Sequence, residues 1–360
     1  MNTSAGVRRI CTVCGVLLVA SLLVAGGCAS AGYYAQSIGG HLDLMAKRRD
    51  VGALVDDEST PPDLKRKLER AKAIRTFAIE ELALPDNGSY RNYVDVGKPY
   101  VTWNVIATPA LSLEAETWCF PVVGCVVYRG YFDEADARAF GDTLARDGLD
   151  VTIAGARAYS TLGWFDDPIL NTILFDAEYR FAGTLFHELA HQRVFVANDS
   201  AFNESYAVTV EREGVRRWLA STAGPGMMRA YDEENARREA FLALVLSSRD
   251  KLKALYASSR DDADKLREKA AIFDALRQDY EKLKGTWGGY AGYDLWFEDD
   301  LNNAKLALLA TYNVYVPAFE RLLAEHGGDM ESFHRAVEAL SELPKEQRDQ
   351  ELARLAAQAS

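Results

Sequence analysis

Phe186-His187-Glu188-Leu189-Ala190-His191-Gln192 is the stretch from which the fold and chemistry are read. Residues four apart on a helix share a face, so His187 and His191 can offer two imidazole nitrogens to one metal ion, with Glu188 beside them. The flanks, from Tyr179-Arg180-Phe181 to Val194-Phe195, carry apolar residues at helical spacing and no proline, which predicts a helix with Asp176 as its N-cap. A catalytic zinc takes three protein ligands and a water. Past His191 the helix has about five residues, or about 7.5 Å, to run before Asn198-Asp199-Ser200 turns the chain, and a new helix from Ser200 climbs about 6 Å back to Glu204. The expected ligands of one Zn2+ are therefore His187, His191 and Glu204, with Glu188 as the base that takes a proton from water. The alternative is a chance motif whose histidines are hydrogen-bonded in a core.

The chain has 360 residues, 48% of them hydrophobic, enough for a sizeable core. A net charge of −12 speaks against a nucleic-acid partner, because phosphate binding needs a basic face. Residues 1–27 read as an export signal, with Arg8 and Arg9, an apolar run from Val16 to Ala25, and Gly26-Gly27 before Cys28. Small residues directly before a cysteine resemble a bacterial lipobox. On that likeness Cys28 is lipidated, the protein is anchored to a membrane of the cell envelope, and Ala29 directs it to the periplasmic side of the outer membrane. Ordinary secretion with Cys28 incidental is the alternative. Of five cysteines, Cys119 and Cys125 then remain, and two thiols in an oxidising compartment pair. A thiolate metal site is the rival use of these two.

The remaining chain falls into parts without an obvious linker. Residues 28–99 hold helices, the first interrupted at Gly39-Gly40 and the second starting at Thr60-Pro61-Pro62. Residues 100–220 hold a small mixed sheet and the zinc-binding helices. Its strands are expected in 101–106, 125–132, 150–154 and 158–162, with a helix from Glu134 to Arg146 between them. Tyr159, Ser160 and Thr161 would accept an extended substrate backbone by strand addition; an ordinary structural strand is the alternative. Glu211, seven residues beyond Glu204, could steer a histidine from behind or be a solvated charge. Residues 221–285 form a charged helical hairpin, and 286–360 a helical C-terminal part. At their junction lies the glycine- and aromatic-rich run Gly285–Phe297, read as a loop able to line a cleft. Tyr312 or Tyr315 could donate to the oxyanion of a tetrahedral intermediate, although a tyrosine so placed is more often part of a core. Asp166 and Asp167, or Glu298, Asp299 and Asp300, could hold a substrate's α-ammonium.

Several strings resemble a bacterial family of predicted zinc aminopeptidase lipoproteins: Gly32-Tyr33-Tyr34-Ala35-Gln36, residues 84–91, Trp118-Cys119-Phe120-Pro121, residues 159–168, Phe202-Asn203-Glu204-Ser205 and Leu301-Asn302-Asn303-Ala304. More broadly the pattern is similar to the gluzincin peptidases, whose third ligand is a Glu on the following helix. That likeness implies the same three ligands and Glu188 as base. Many gluzincins place an Asp four residues after the ligand Glu to hold a histidine; here Val208 stands there, and Glu211 is the substitute. The expectation is a predominantly helical α+β protein, a zincin-like catalytic core with a small mixed sheet beside the metal helix, acting on peptides. An endopeptidase with the same site, or a non-catalytic envelope lipoprotein with a structural metal, are the alternatives.

Overall fold

A computed structural model describes residues 32–120, 124–222, 225–298 and 300–358. The chain divides into two units, Met1–Lys47 and Arg48–Ser360. The described part of the first is one helix, α1 (residues 32–46). It runs through Gly39-Gly40, where the sequence predicts a break, because glycine weakens a helix by about 1 kcal/mol without forbidding it.

The second unit is a mostly helical α+β body. Its helices are α2 (Val51–Asp56), α3 (Pro62–Glu80), α4 (Glu134–Arg146), α5 (Asn171–Leu174), α6 (Glu178–Arg193), α7 (Ser200–Thr222), α8 (Pro225–Tyr256), α9 (Asp262–Thr286), α10 (Asp294–Glu298), α11 (Asn303–Thr311), α12 (Val316–Glu325), α13 (Met330–Ser341) and α14 (Lys345–Ala357). Among the described residues no helix is long and apolar enough to cross a membrane.

Among the described residues three small sheets accompany them. β1 (Arg49–Asp50) runs antiparallel, and β8 (Ile169–Leu170) parallel, to β2 (Asn92–Val94), and this mixed sheet feeds directly into α5 and α6. β3 (Thr102–Pro109) lies between β6 (Arg129–Tyr131) and β7 (Leu149–Ala156), antiparallel to both. β4 (Trp118–Phe120) and β5 (Gly124–Val126) make a two-stranded ribbon closed by the Cys119–Cys125 disulfide. The predicted single strand over 125–132 is thus two strands in different sheets.

The strand predicted over 158–162 does not form. Leu162 and Gly163 adopt positive φ angles of 54° and 79°, and the buried Asp167 carboxylate draws in the Thr161 backbone N–H at 2.9 Å, so the chain turns where extension was expected. Asp176 does not cap α6 either. Ala177 stands at the cap without a side-chain bond, while Asp176 pairs with Arg157 at 2.8 Å. The aromatic run is not a plain loop: α10 forms within it, and Tyr293 stacks on Phe241 and Phe297 on Tyr280, each at 4.1 Å between centroids, closing the core of the α8–α9 hairpin. Packing of Trp287, Tyr293, Trp296 and Phe297 against that core outweighs the loop-forming tendency of the glycines, while Tyr290 stays exposed.

α6 and α7 pack against each other as an antiparallel pair at the centre. Gly214 allows the approach, since a Cβ there would stand 2.6 Å from Phe186 Cδ2. Around α7, Phe202, Tyr206, Phe319 and Phe333 are fully buried, each burial contributing about 1.5–3 kcal/mol. His334 lies among them. Its Nε2–H donates to the Leu82 carbonyl at 2.8 Å, and its Nδ1 accepts from the Tyr206 hydroxyl at 2.8 Å, which fixes a neutral tautomer. Burial depresses its pKa from 6.5 to about 4. The unfolded chain therefore takes up a proton that the folded chain refuses, and this residue's stability, complete above pH 6.5, is lost as pH falls through about 4. Denaturant midpoints of the wild type and His334→Gln, compared at pH 7.5 and pH 4, should show the wild type losing about 3 kcal/mol more across that interval.

Candidate metal centre

α6 carries His187, Glu188 and His191, and α7 returns Glu204 and Glu211 beside them. α6 stops at Arg193, sooner than the periodicity suggests, and Val194 is extended. Asn198 then turns with φ 66°. The turn is locked by the Asn203 side chain, which pairs with the Val196 backbone N–H and C=O, each at 2.8 Å. Buried Asp199 adds a 2.6 Å ion pair to Arg348 of α14. Glu204 follows this clamp immediately, so its place along α6 is rigidly determined.

His187 Nε2 stands 3.2 Å from Glu204 Oε2 and 3.2 Å from His191 Nε2, and His191 Nε2 stands 3.6 Å from Glu204 Oε2. Together the three residues form a group that could hold a metal ion. Donors about 2.0–2.1 Å from a tetrahedral ion lie about 3.3 Å from one another, so the observed edges fit one zinc-sized ion. Behind the centre, Glu211 Oε2 is 3.2 Å from His187 Nδ1, and Glu211 Oε1 is 3.8 Å from Arg238 of α8. Gly183 makes room for this carboxylate: a Cβ there would lie 3.2 Å from Glu211 Cγ.

The electrostatics follow from the crowding. Burial works to raise the Glu204 carboxyl, but His191 and His187 outweigh it and hold it down at about 2. Burial also opposes ionisation of Glu211, which His187, Arg238 and Arg212 nevertheless keep below the usual carboxylate range. The Tyr312 ring stacks 6.4 Å from that of His187, and Glu204, then burial, push its pKa well up, so its hydroxyl stays a proton donor. Tyr315 is engaged elsewhere: its hydroxyl donates to Asp349 at 3.1 Å.

A family model described as Putative aminopeptidase matches residues 32–352. The chain belongs to this family. No curated protein and no solved structure matches it. The likeness read in the sequence strings is therefore established, and family membership implies a peptide substrate.

Family strings far apart in the chain meet at the Gln192 end of the motif. Asn87 Nδ2 donates to Gln192 Oε1 at 2.6 Å, and Gln192 Nε2 donates to Ser89 Oγ at 3.3 Å and to Asp167 Oδ2 at 3.2 Å. Asp167 also accepts from the Thr161 backbone and hydroxyl and the Ser160 hydroxyl, so its lone pairs are engaged. Burial lifts its pKa to about 6 against the pull of these bonds, and Glu188 adds to the rise. Ser160 and Thr161 are therefore loop anchors, Tyr159 packs its ring on Phe132 at 5.5 Å, and Asp166 is the exposed acid of its pair. Glu298 and Asp300 are exposed at the end of α10, whereas Asp299 and Cys28 lie outside the described residues.

Asn87, Ser89 and Tyr90 stand in the sequence only within the family string 84–91, with no role at the site assigned to them. Their contacts lie about a hundred positions away, and no local pattern signals them. Asp167→Ala should lower stability by about 2–3 kcal/mol by orphaning these buried donors. Hydrogen exchange at the Thr161 amide should accelerate in the same variant, and an unchanged rate would contradict the anchoring.

Proposed function

We propose that this protein is a zinc-dependent peptidase with a zincin-like core, acting at peptide N-termini. The observation that carries the proposal is the triangle of His187 Nε2, His191 Nε2 and Glu204 Oε2, with edges of 3.2, 3.2 and 3.6 Å. Two imidazoles and one carboxylate are the donor set of a catalytic zinc. When bound, the ion supplies Lewis acidity, polarising a carbonyl and easing the deprotonation of water.

The chain's own groups do the rest. Glu188, next to a ligand on the same helix and half-buried, takes the proton of the attacking water and returns it to the leaving amine. Tyr312, kept protonated beside Glu204, donates to the developing oxyanion. Glu211 accepts from His187 Nδ1–H and so directs Nε2 toward the ion. A structural zinc would require a fourth protein ligand. Among the described residues three side chains converge, which supports the catalytic use.

The aminopeptidase limb of the proposal requires a group for the substrate's α-ammonium. Asp167 is saturated by its own loop, leaving Asp166 as that loop's open acid. The export and lipidation of Cys28, with a place in the bacterial envelope, belong to the same proposal and rest on the sequence of the first 28 residues.

Glu188→Gln should retain zinc, by metal analysis, and lose about a hundredfold or more of peptide turnover; unchanged turnover would refute the mechanism. A matched pair of peptides, with free and acetylated N-termini, decides the mode of cutting. Equal rates on both would make the enzyme an endopeptidase.

A further inference from the structure

Tyr90 combines three features that its packing alone does not explain. Its backbone has φ 61°, a left-handed conformation uncommon for a bulky aromatic. Its side chain is 3% exposed. Its hydroxyl nevertheless has no hydrogen-bond partner, although such groups inside proteins are nearly always paired.

The conformation is held from several sides. Arg75 of α3, itself buried, donates through Nε to the Ser89 carbonyl at 2.9 Å and through Nη2 to the Asn87 carbonyl. The Tyr90 N–H donates to the Asp167 carbonyl at 2.7 Å. Ser89 Oγ receives the Asp167 N–H at 3.2 Å and Gln192 Nε2 at 3.3 Å. The segment thus rests on Gln192, one helical turn along α6 from Glu188 and on the same face. Burial, and after it the charges of Glu188 and Asp167, push the pKa of the phenol well up, so it stays a donor.

Of these two, only one is open to a new donor. The Asp167 carboxylate is engaged by Thr161, Ser160 and Gln192. Glu188 forms no side-chain hydrogen bond or ion pair among the described residues. A buried donor without an acceptor and a carboxylate without a donor thus stand on two segments that the Ser89–Gln192 contact joins. The phenol is locked by its burial and backbone, whereas Glu188 is half-buried and is the member able to move.

We propose that Tyr90 is a positioning residue whose hydroxyl donates to one Glu188 carboxylate oxygen, leaving the other turned toward the attacking water. The inference rests on Glu188 being the base of a zinc peptidase. It assigns Tyr90 no contact with substrate or metal, in keeping with a hydroxyl that solvent does not reach. It also explains why a strained, unpaired tyrosine is tolerated in this position: the cost in stability is offset by the orientation of the base.

Tyr90→Phe removes only the oxygen. Because that oxygen is unpaired in the folded chain, the substitution should leave the melting temperature unchanged or raise it. Zinc affinity, measured by chelator competition, should not change. With the zinc-loaded protein, kcat should fall about tenfold while KM stays the same, as expected when a catalytic group loses its alignment. An unchanged kcat overturns the proposal. A lower kcat accompanied by a lower melting temperature or weaker zinc binding also overturns it, since the hydroxyl would then serve folding or the metal centre. Wild-type protein that binds zinc without hydrolysing peptides, or Glu188→Gln that keeps full turnover, would instead refute the underlying mechanism and this inference with it.

Discussion

Three electron-rich atoms held 3.2 to 3.6 Å apart repel one another unless a cation or shared proton lies between them, and the middle of this fold is organised to hold them there. Two come from one turn of α6 and the third from α7, so the problem reduces to docking two helices closely and in one register. Gly214 and Gly183 permit the close approach, one opposite Phe186 and the other opposite Glu211 and Val215. The Asn203 clamp on Val196 and the Asp199–Arg348 ion pair set the register at the turn. Such a buried pair is costly to break, by about 3–5 kcal/mol, because an uncompensated charge would remain.

Other elements reach the centre through layers of contact. The α8–α9 hairpin, built around Phe241, Phe273 and Tyr280, touches Glu211 through Arg238 and so stands behind His187. The segment 84–91 and the loop 159–168 converge on Gln192 at the other end of the motif. The antiparallel sheet is tied to the helices by Asp150, which accepts from Lys269 at 2.5 Å and from the Asn303 N–H at 2.9 Å. The family strings 84–91 and 159–168 thus border the same helix pair to which 202–205 belongs.

Local pattern by itself determined α6 with its two histidines, the return of Glu204 beside them, the helix from Glu134 to Arg146 and the α8–α9 hairpin. Each depends on spacing within a helix or across one short turn, where geometry is fixed by the 1.5 Å rise and the 3.6-residue period. The Cys119–Cys125 bridge and the neighbourhood of Glu211 were legible for the same reason. Tertiary structure alone decided the fate of residues 158–162, a good strand by composition, which the Asp167 carboxylate bends into a loop. It likewise packed Tyr293 and Phe297 into a core, turned Tyr315 toward Asp349 while leaving Tyr312 by His187, and brought Asn87 and Ser89 to Gln192 of α6. These outcomes depend on which buried donor finds which acceptor across about a hundred residues of chain, and short-range periodicity does not encode such pairings.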